Sequence, residues 1–136
     1  MAPAFHDFAA TVRLEDIPED VRSVLRRSLL DTLGVAAIGS TTQMAAIARN
    51  GAAALFGQGT AGAARVLLSG MRLSPAGAAM AGAFTVDSID AHDGSSPCKG
   101  HAGSAVIPAL LACADIKKTM QGSELSTLLA LGYEIS

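Results

Sequence analysis

Residues 85–108, TVDSIDAHDGSSPCKGHAGSAVIP, gather three acids, two histidines, a lysine and a cysteine into one short stretch. Asp90, His92 and Asp93 fall within four residues, and Cys98, Lys99 and His101 follow. A carboxylate and an imidazole held between apolar walls can have their pKa values moved toward neutrality, which proton abstraction and donation at neutral pH require. The same residues also fit a plain connection in which Asp90 and Asp93 cap turns and the histidines face solvent. A third chemistry is metal binding, because Cys98-x-x-His101 with His92 or Asp93 offers the S, N and O donors that zinc takes. That reading needs further ligands to converge from the loop itself, since the chain has no second Cys/His pair.

Both flanks of this stretch are almost wholly Ala, Gly, Val, Ile and Leu, and their punctuation predicts helices. Ser74-Pro75 is a capping hydroxyl followed by proline at the first helical position, so a buried helix runs from there to about Ile89. Its Gly77 and Gly82 each cost about 1 kcal/mol relative to Ala, which makes sense if another backbone passes close by. Beyond the polar stretch, residues 104–118 predict another buried helix, with Pro108 near its first turn, Cys113 as a small core residue and Lys117 and Lys118 at its negative end. Ser123-Glu124 opens a last helix with Leu125, Leu128, Leu129 and Tyr133 as its apolar stripe.

Toward the N-terminus, Phe5, Phe8, Ala9 and Val12 recur at helical spacing and predict a short arm ending near residues 13–15. Pro18-Glu19-Asp20 begins a longer helix, its proline suited to the first turn. That helix carries a stripe of Val21, Val24, Leu25, Ser28 and Thr32, widened by Leu29 and Leu33, opposite Arg22, Arg26 and Arg27, and it stops at Gly39. Thr41 or Thr42 caps a third helix whose apolar residues are Met44, Ile47, Ala48, Ala52, Leu55 and Phe56, closed by Gly57. The glycine-rich residues 58–63 carry neither GK[ST] nor GxGxxG and are not a phosphate loop. Residues 64–68 and 71–73 predict two short strands joined at Ser69-Gly70.

Composition bounds the partners. At 136 residues the chain fits one domain able to bury roughly two thirds of its unfolded surface. A formal charge of -2, a pI near 5.8, 4% aromatics and no Trp give no basic stripe for nucleic acid. The uncharged runs 32–48 and 50–64 are interrupted by polar residues and fall short of the roughly 20 apolar residues of a membrane span. With no CxxC pair and no secretory signal pattern, a reduced compartment is expected, the cytoplasm or, in a eukaryote, the mitochondrial matrix. Half the residues are hydrophobic and only 16% charged, so an apolar face is expected to meet another subunit or a companion chain. His6, alone on the first helix, reads as a surface residue.

Four stretches together resemble the N-terminal helical region of the MmgE/PrpD family: IPEDVRSVLRRSLLDTLGVAAIGS, RVLLSGMRLSPAGAAMAGAF, DSIDAHDG, and GHAGSAVIPALLACAD followed by GSELSTLLALGYE. They occur in the family's order and cover nearly everything from Leu14 onward. The resemblance implies a mainly α-helical domain with one short β-hairpin, frequent homodimers, and no metal or organic cofactor. It implies lyase chemistry of the 2-methylcitrate or cis-aconitate type on a small di- or tricarboxylic acid. The family's D-x-D-D segment falls on Asp90, Ala91, His92 and Asp93, with His92 in place of the middle acid. Its H-P-[GS] segment falls on His101, Ala102 and Gly103, with Ala102 in place of proline.

Asp90 and His101 are therefore the expected catalytic pair, and Asp93, His92 and Lys99 the expected substrate contacts. Family members are longer and supply further histidine, lysine and tyrosine from other helices and a smaller α+β domain. The chain ends at Ser136 without a helix stop signal. It is accordingly expected to be a partial domain, inactive alone. The alternative expectation is a non-catalytic helical module that acts through association.

Overall fold

The computed structural model describes residues 5–57, 62–97 and 99–136 and shows a mainly helical fold with one small antiparallel hairpin. Cys98 and most of the glycine-rich loop, residues 58–61, lie outside the described residues. Among the described residues, six α-helices run in the order α1 (Phe5–Thr11), α2 (Glu19–Gly39), α3 (Gln43–Phe56), α4 (Pro75–Asp87), α5 (Ala102–Lys117) and α6 (Gly122–Glu134). The predicted arm is α1 followed by a separate 3-10 turn at Leu14–Asp16. None of the described helices is long and apolar enough to cross a membrane.

The central element is α4, which packs most extensively on α5, then on α3 and α2. It starts where the capping chemistry dictates: Ser74 Oγ accepts a hydrogen bond from Gly77 N at 3.3 Å, and Pro75 occupies the first helical position. Its neighbours come close because its buried residues are small, Gly77, Ala78, Ala81 and Gly82 among them. A Cβ at Gly82 would lie 2.8 Å from Cβ of Pro108, so the close passage is of a proline ring and not of bare backbone. Pro108 itself lies in the interior of α5, two residues further in than expected, because α5 begins at Ala102. Proline withholds the donor for one helical hydrogen bond there, and its buried ring fills the Gly82 notch.

Among the described residues, three apolar clusters divide the core. Ala52, Ala64, Val66, Leu73, Ala78, Ala81 and Ala112 join α3, the hairpin, α4 and α5. Leu25, Ile107 and Leu129 join α2, α5 and α6. Val35, Ala36 and Val86 join α2 to α4. The hairpin strands are β1 (Ala64–Arg65) and β2 (Arg72–Leu73), paired Ala64 with Leu73 and Arg65 with Arg72, shorter than predicted. Arg65 anchors the hairpin on α5 by donating from its backbone N to Asp115 Oδ2 and from Nε to Oδ1, both at 2.8 Å. The Arg65 hydrogen bonds hold the Asp115 carboxyl below its usual range.

Several sequence expectations are corrected. Pro18 is the N-cap of α2 and not a first-turn residue. Leu25 and Thr32 of the α2 stripe are buried, but Val21 and Val24 are exposed. On α3, capped by Thr42 through Ala45 N at 3.1 Å, the buried face is Ala45, Ala48 and Ala52, while Met44, Ile47, Leu55 and Phe56 are exposed. Both faces of α3 are apolar, and the one made of alanines lets α4 approach more closely. Cys113 is exposed, one position beyond buried Ala112, and is not a core residue.

Candidate functional site

The polar stretch connects α4 to α5, and each end is fixed by backbone chemistry. At the α4 end, Ser88 Oγ donates to Thr85 O at 2.8 Å and lies 3.2 Å from Gly39 O, tying the loop entrance to the end of α2. Asp90 N then donates to Asp87 O at 3.1 Å, and Asp90 takes φ +49°, a left-handed conformation that Asp tolerates better than most residues. At the α5 end, His101 is the N-cap residue but supplies no side-chain cap. Asp93 supplies it from a distance: its Oδ2 accepts from Gly103 N at 3.3 Å, a carboxylate at the positive end of the helix. Between them, Ser95 N donates to Gly100 O at 3.0 Å and Lys99 N to Ser95 O at 2.8 Å, folding the loop back on itself.

This fold-back brings the two histidines together. Their ring centroids are 4.3 Å apart with the planes tilted by 55°. His101 is exposed, and its Nδ1 lies 2.7 Å from the backbone oxygen of Asp93, which leaves Nε2 as the nitrogen available to another group. His92 is the opposite case, with a side chain that has no solvent exposure. Its Nε2 is 3.3 Å from Asp87 Oδ1, yet among the described residues neither ring nitrogen makes a well-aligned hydrogen bond. One donor atom from each of Asp90, His92 and His101 lies within 4.8 Å of the others. Among the described residues, these three form the group that could hold a metal. Cys98, on which the zinc reading of the sequence rests, lies outside the described residues, and Asp93 is engaged elsewhere.

Asp93 points inward. Besides Gly103 N, its Oδ2 accepts from Tyr133 Oη at 2.5 Å, and Tyr133 Oη also contacts Ser28 Oγ. Asp93 Oδ1 is buried without a partner. Gly103 is required here, since a Cβ would lie 2.6 Å from both Asp93 Oδ1 and Tyr133 Oη. Asp93 and Tyr133 form the wall between two pockets. One, of about 580 Å³, is lined by Asp93, Gly94, Ser95, His101, Ala105 and Tyr133 among others. The other, of about 780 Å³, runs along α2 past Val21, Val24, Ser28 and Asp31. A third cavity of about 650 Å³ lies by the hairpin, away from these polar groups.

Of the residues singled out from sequence, Asp90, His92, Asp93 and His101 are thus brought together, with Asp93 and His101 lining the smaller pocket. Lys99, at φ +56° on the exposed part of the loop, does not line it. The sequence reading missed Ser28 and Tyr133, which it assigned to apolar stripes. The available signal was that each puts a hydroxyl into a row otherwise made largely of aliphatic side chains.

Burial, and then the hydrogen bond to Asp93, push the Tyr133 phenol up to about 12. Because the folded-state value lies above the ordinary one near 10, the linked stability is complete below about pH 10 and is lost as pH rises toward about 12. Tyr133 is the sole tyrosine of the chain, so tyrosinate ultraviolet absorbance reports on it alone. Titration of the folded chain is expected to show ionisation displaced upward, from about 10 to about 12. A midpoint at about 10 with helicity intact would contradict the buried Tyr133–Asp93 pair.

Comparison with known proteins bears on this arrangement. The MmgE/PrpD N-terminal domain family model matches residues 4–136. Two curated relatives, both cis-aconitate decarboxylases of Aspergillus terreus, one of them from strain NIH 2624 / FGSC A1156, are each 26% identical over 131 residues. The aligned region is 93% of this chain but only 26% of either relative, so the chain spans about a quarter of their length. No solved structure matches the chain significantly. Since the family model runs through every helix that frames the loop and through the loop itself, the chain belongs to the MmgE/PrpD family.

Proposed function

We propose that this chain contributes one wall of the active site of a lyase acting on a small di- or tricarboxylic acid, by proton abstraction next to a carboxylate with loss of water or carbon dioxide. The observation that carries the reading is the convergence of Asp90, His92 and His101 beside the pocket lined by Asp93, His101 and Tyr133. In this reading His101, exposed at the pocket and steadied through Nδ1 by the Asp93 carbonyl, moves the proton at Nε2. Asp90 orients it or contacts substrate. Asp93 and His92 shape the substrate side, and Lys99 reaches a substrate carboxylate only if the loop moves.

The reaction runs without metal or organic cofactor, as the family resemblance implies. The similarity to cis-aconitate decarboxylase supports decarboxylation as the first chemistry to assay. The exposed Val24, Leu30, Ile38, Ile47 and Leu55 support burial of α2 and α3 against a second subunit or a companion chain that completes the site.

The test is turnover of cis-aconitate and 2-methylcitrate, followed by loss of substrate and by evolved carbon dioxide. The chain alone is expected to be inactive, and an assembly that supplies the remaining helices is expected to be active. Inactivity of such an assembly on every small di- and tricarboxylate tried would favour the second reading, a helical module that acts only through association. That reading draws on the same exposed apolar residues.

A further inference from the structure

We propose that Asp90, His92 and His101 form a binding site for a divalent transition-metal cation of the zinc class. One donor atom from each already lies within 4.8 Å of the others, and two imidazoles with one carboxylate are a donor set such cations accept. The observation that points to a ligand is His92. Its side chain is fully buried, neither ring nitrogen has a well-aligned hydrogen bond among the described residues, and its ring stands against that of His101. A buried imidazole whose polar neighbour, Asp87 Oδ1 at 3.3 Å, is poorly aligned is costly, and a cation bound at one nitrogen lowers that cost.

The surroundings are those of ligating histidines, which commonly give their second nitrogen to a carbonyl or carboxylate. His101 Nδ1 is 2.7 Å from the Asp93 carbonyl, leaving Nε2 for a metal. His92 Nε2 is 3.3 Å from Asp87 Oδ1, leaving Nδ1. Donors in a tetrahedral zinc site sit about 3.4 Å apart, so the trio must close by up to about 1.4 Å. Asp90 and His101 are exposed and have room to make that movement around the fixed His92. Occupancy would compete with proton transfer by His101, which makes the cation an inhibitor and not a cofactor.

The test is calorimetric titration of the full chain with zinc chloride, and with cobalt(II) for its visible spectrum, in buffer free of thiols and chelators. One equivalent is expected to bind. His101→Ala and Asp90→Asn, both at exposed positions, should each weaken binding by at least about 10-fold. Cys98→Ser should leave it unchanged, and the cobalt spectrum should lack a thiolate charge-transfer band. Because His92→Ala also empties a buried position, the two exposed variants decide the outcome, with circular dichroism confirming their fold. Absence of binding, binding unchanged in both exposed variants, or loss on Cys98→Ser would each overturn the assignment. Binding is read without turnover, so its failure is separate from failure of the lyase reading.

Discussion

His101→Ala and Asp90→Asn are each expected to lower kcat about 100-fold or more in an active assembly containing this chain, the usual scale for a positioned acid or base. That is a loss of about 2.7 kcal/mol of transition-state stabilisation for each residue. Folding is expected to survive both changes, because both side chains are exposed and neither is part of the three apolar clusters. The His101 ring accounts for one hydrogen bond, to the Asp93 carbonyl, and the cap of α5 comes from Asp93 and not from His101. If His101 moves the proton, its loss should fall on kcat more than on KM. Cys98→Ser and treatment with a chelator are the controls. In a cofactor-free reaction neither lowers the rate, and a chelator raises it if a cation had occupied the loop. Near-normal turnover in both variants would remove the catalytic assignment and leave the loop as a connection between α4 and α5.

The helices and their order were legible because their start signals are local. Ser74-Pro75, Thr42 and Gly57 act in the structure as their chemistry requires, through one or two backbone groups each. Which face of a helix is buried was less legible wherever both faces are apolar. Periodicity on α3 picks out large and small apolar residues together, and only the small ones among them, Ala48 and Ala52, pack inward, where α4 approaches closely. The candidate site was legible as a cluster of types, and Asp90, His92 and His101 lie close together with the Asp93 backbone beside His101. Its second wall was not. Tyr133 lies 40 positions from Asp93 and 105 from Ser28, and only packing of α6 against α2 and α5 joins them.

The largest stability effect is expected at Gly39, where α2 ends against the last turns of α4. An added Cβ would lie 2.1 Å from the backbone oxygen of Thr85 and 2.9 Å from Ser88 Oγ. Backbone cannot step aside as a flexible side chain can, so Gly39→Ala must move one helix away from the other. That shift would open the contacts of Val35, Ala36 and Val86 and break the Ser88 hydrogen bond to Gly39 O. Overpacking of a tight core costs about 1–3 kcal/mol, and a collision with backbone belongs at the upper end. The expected loss of about 3 kcal/mol is a large share of the roughly 5–15 kcal/mol that holds a domain together. Gly34 provides the control within the same helix, because nothing lies within 4 Å of its added Cβ. There the change to alanine only removes backbone freedom from the unfolded chain, so Gly34→Ala should stabilise by about 0.5–1 kcal/mol. Urea unfolding followed by circular dichroism would measure both, with the midpoint falling for Gly39→Ala and rising for Gly34→Ala at similar slopes. Equal midpoints for the two variants would mean that α2 and α4 do not meet at Gly39, and the entrance to the Asp90–His101 loop would then lose the anchor that positions it.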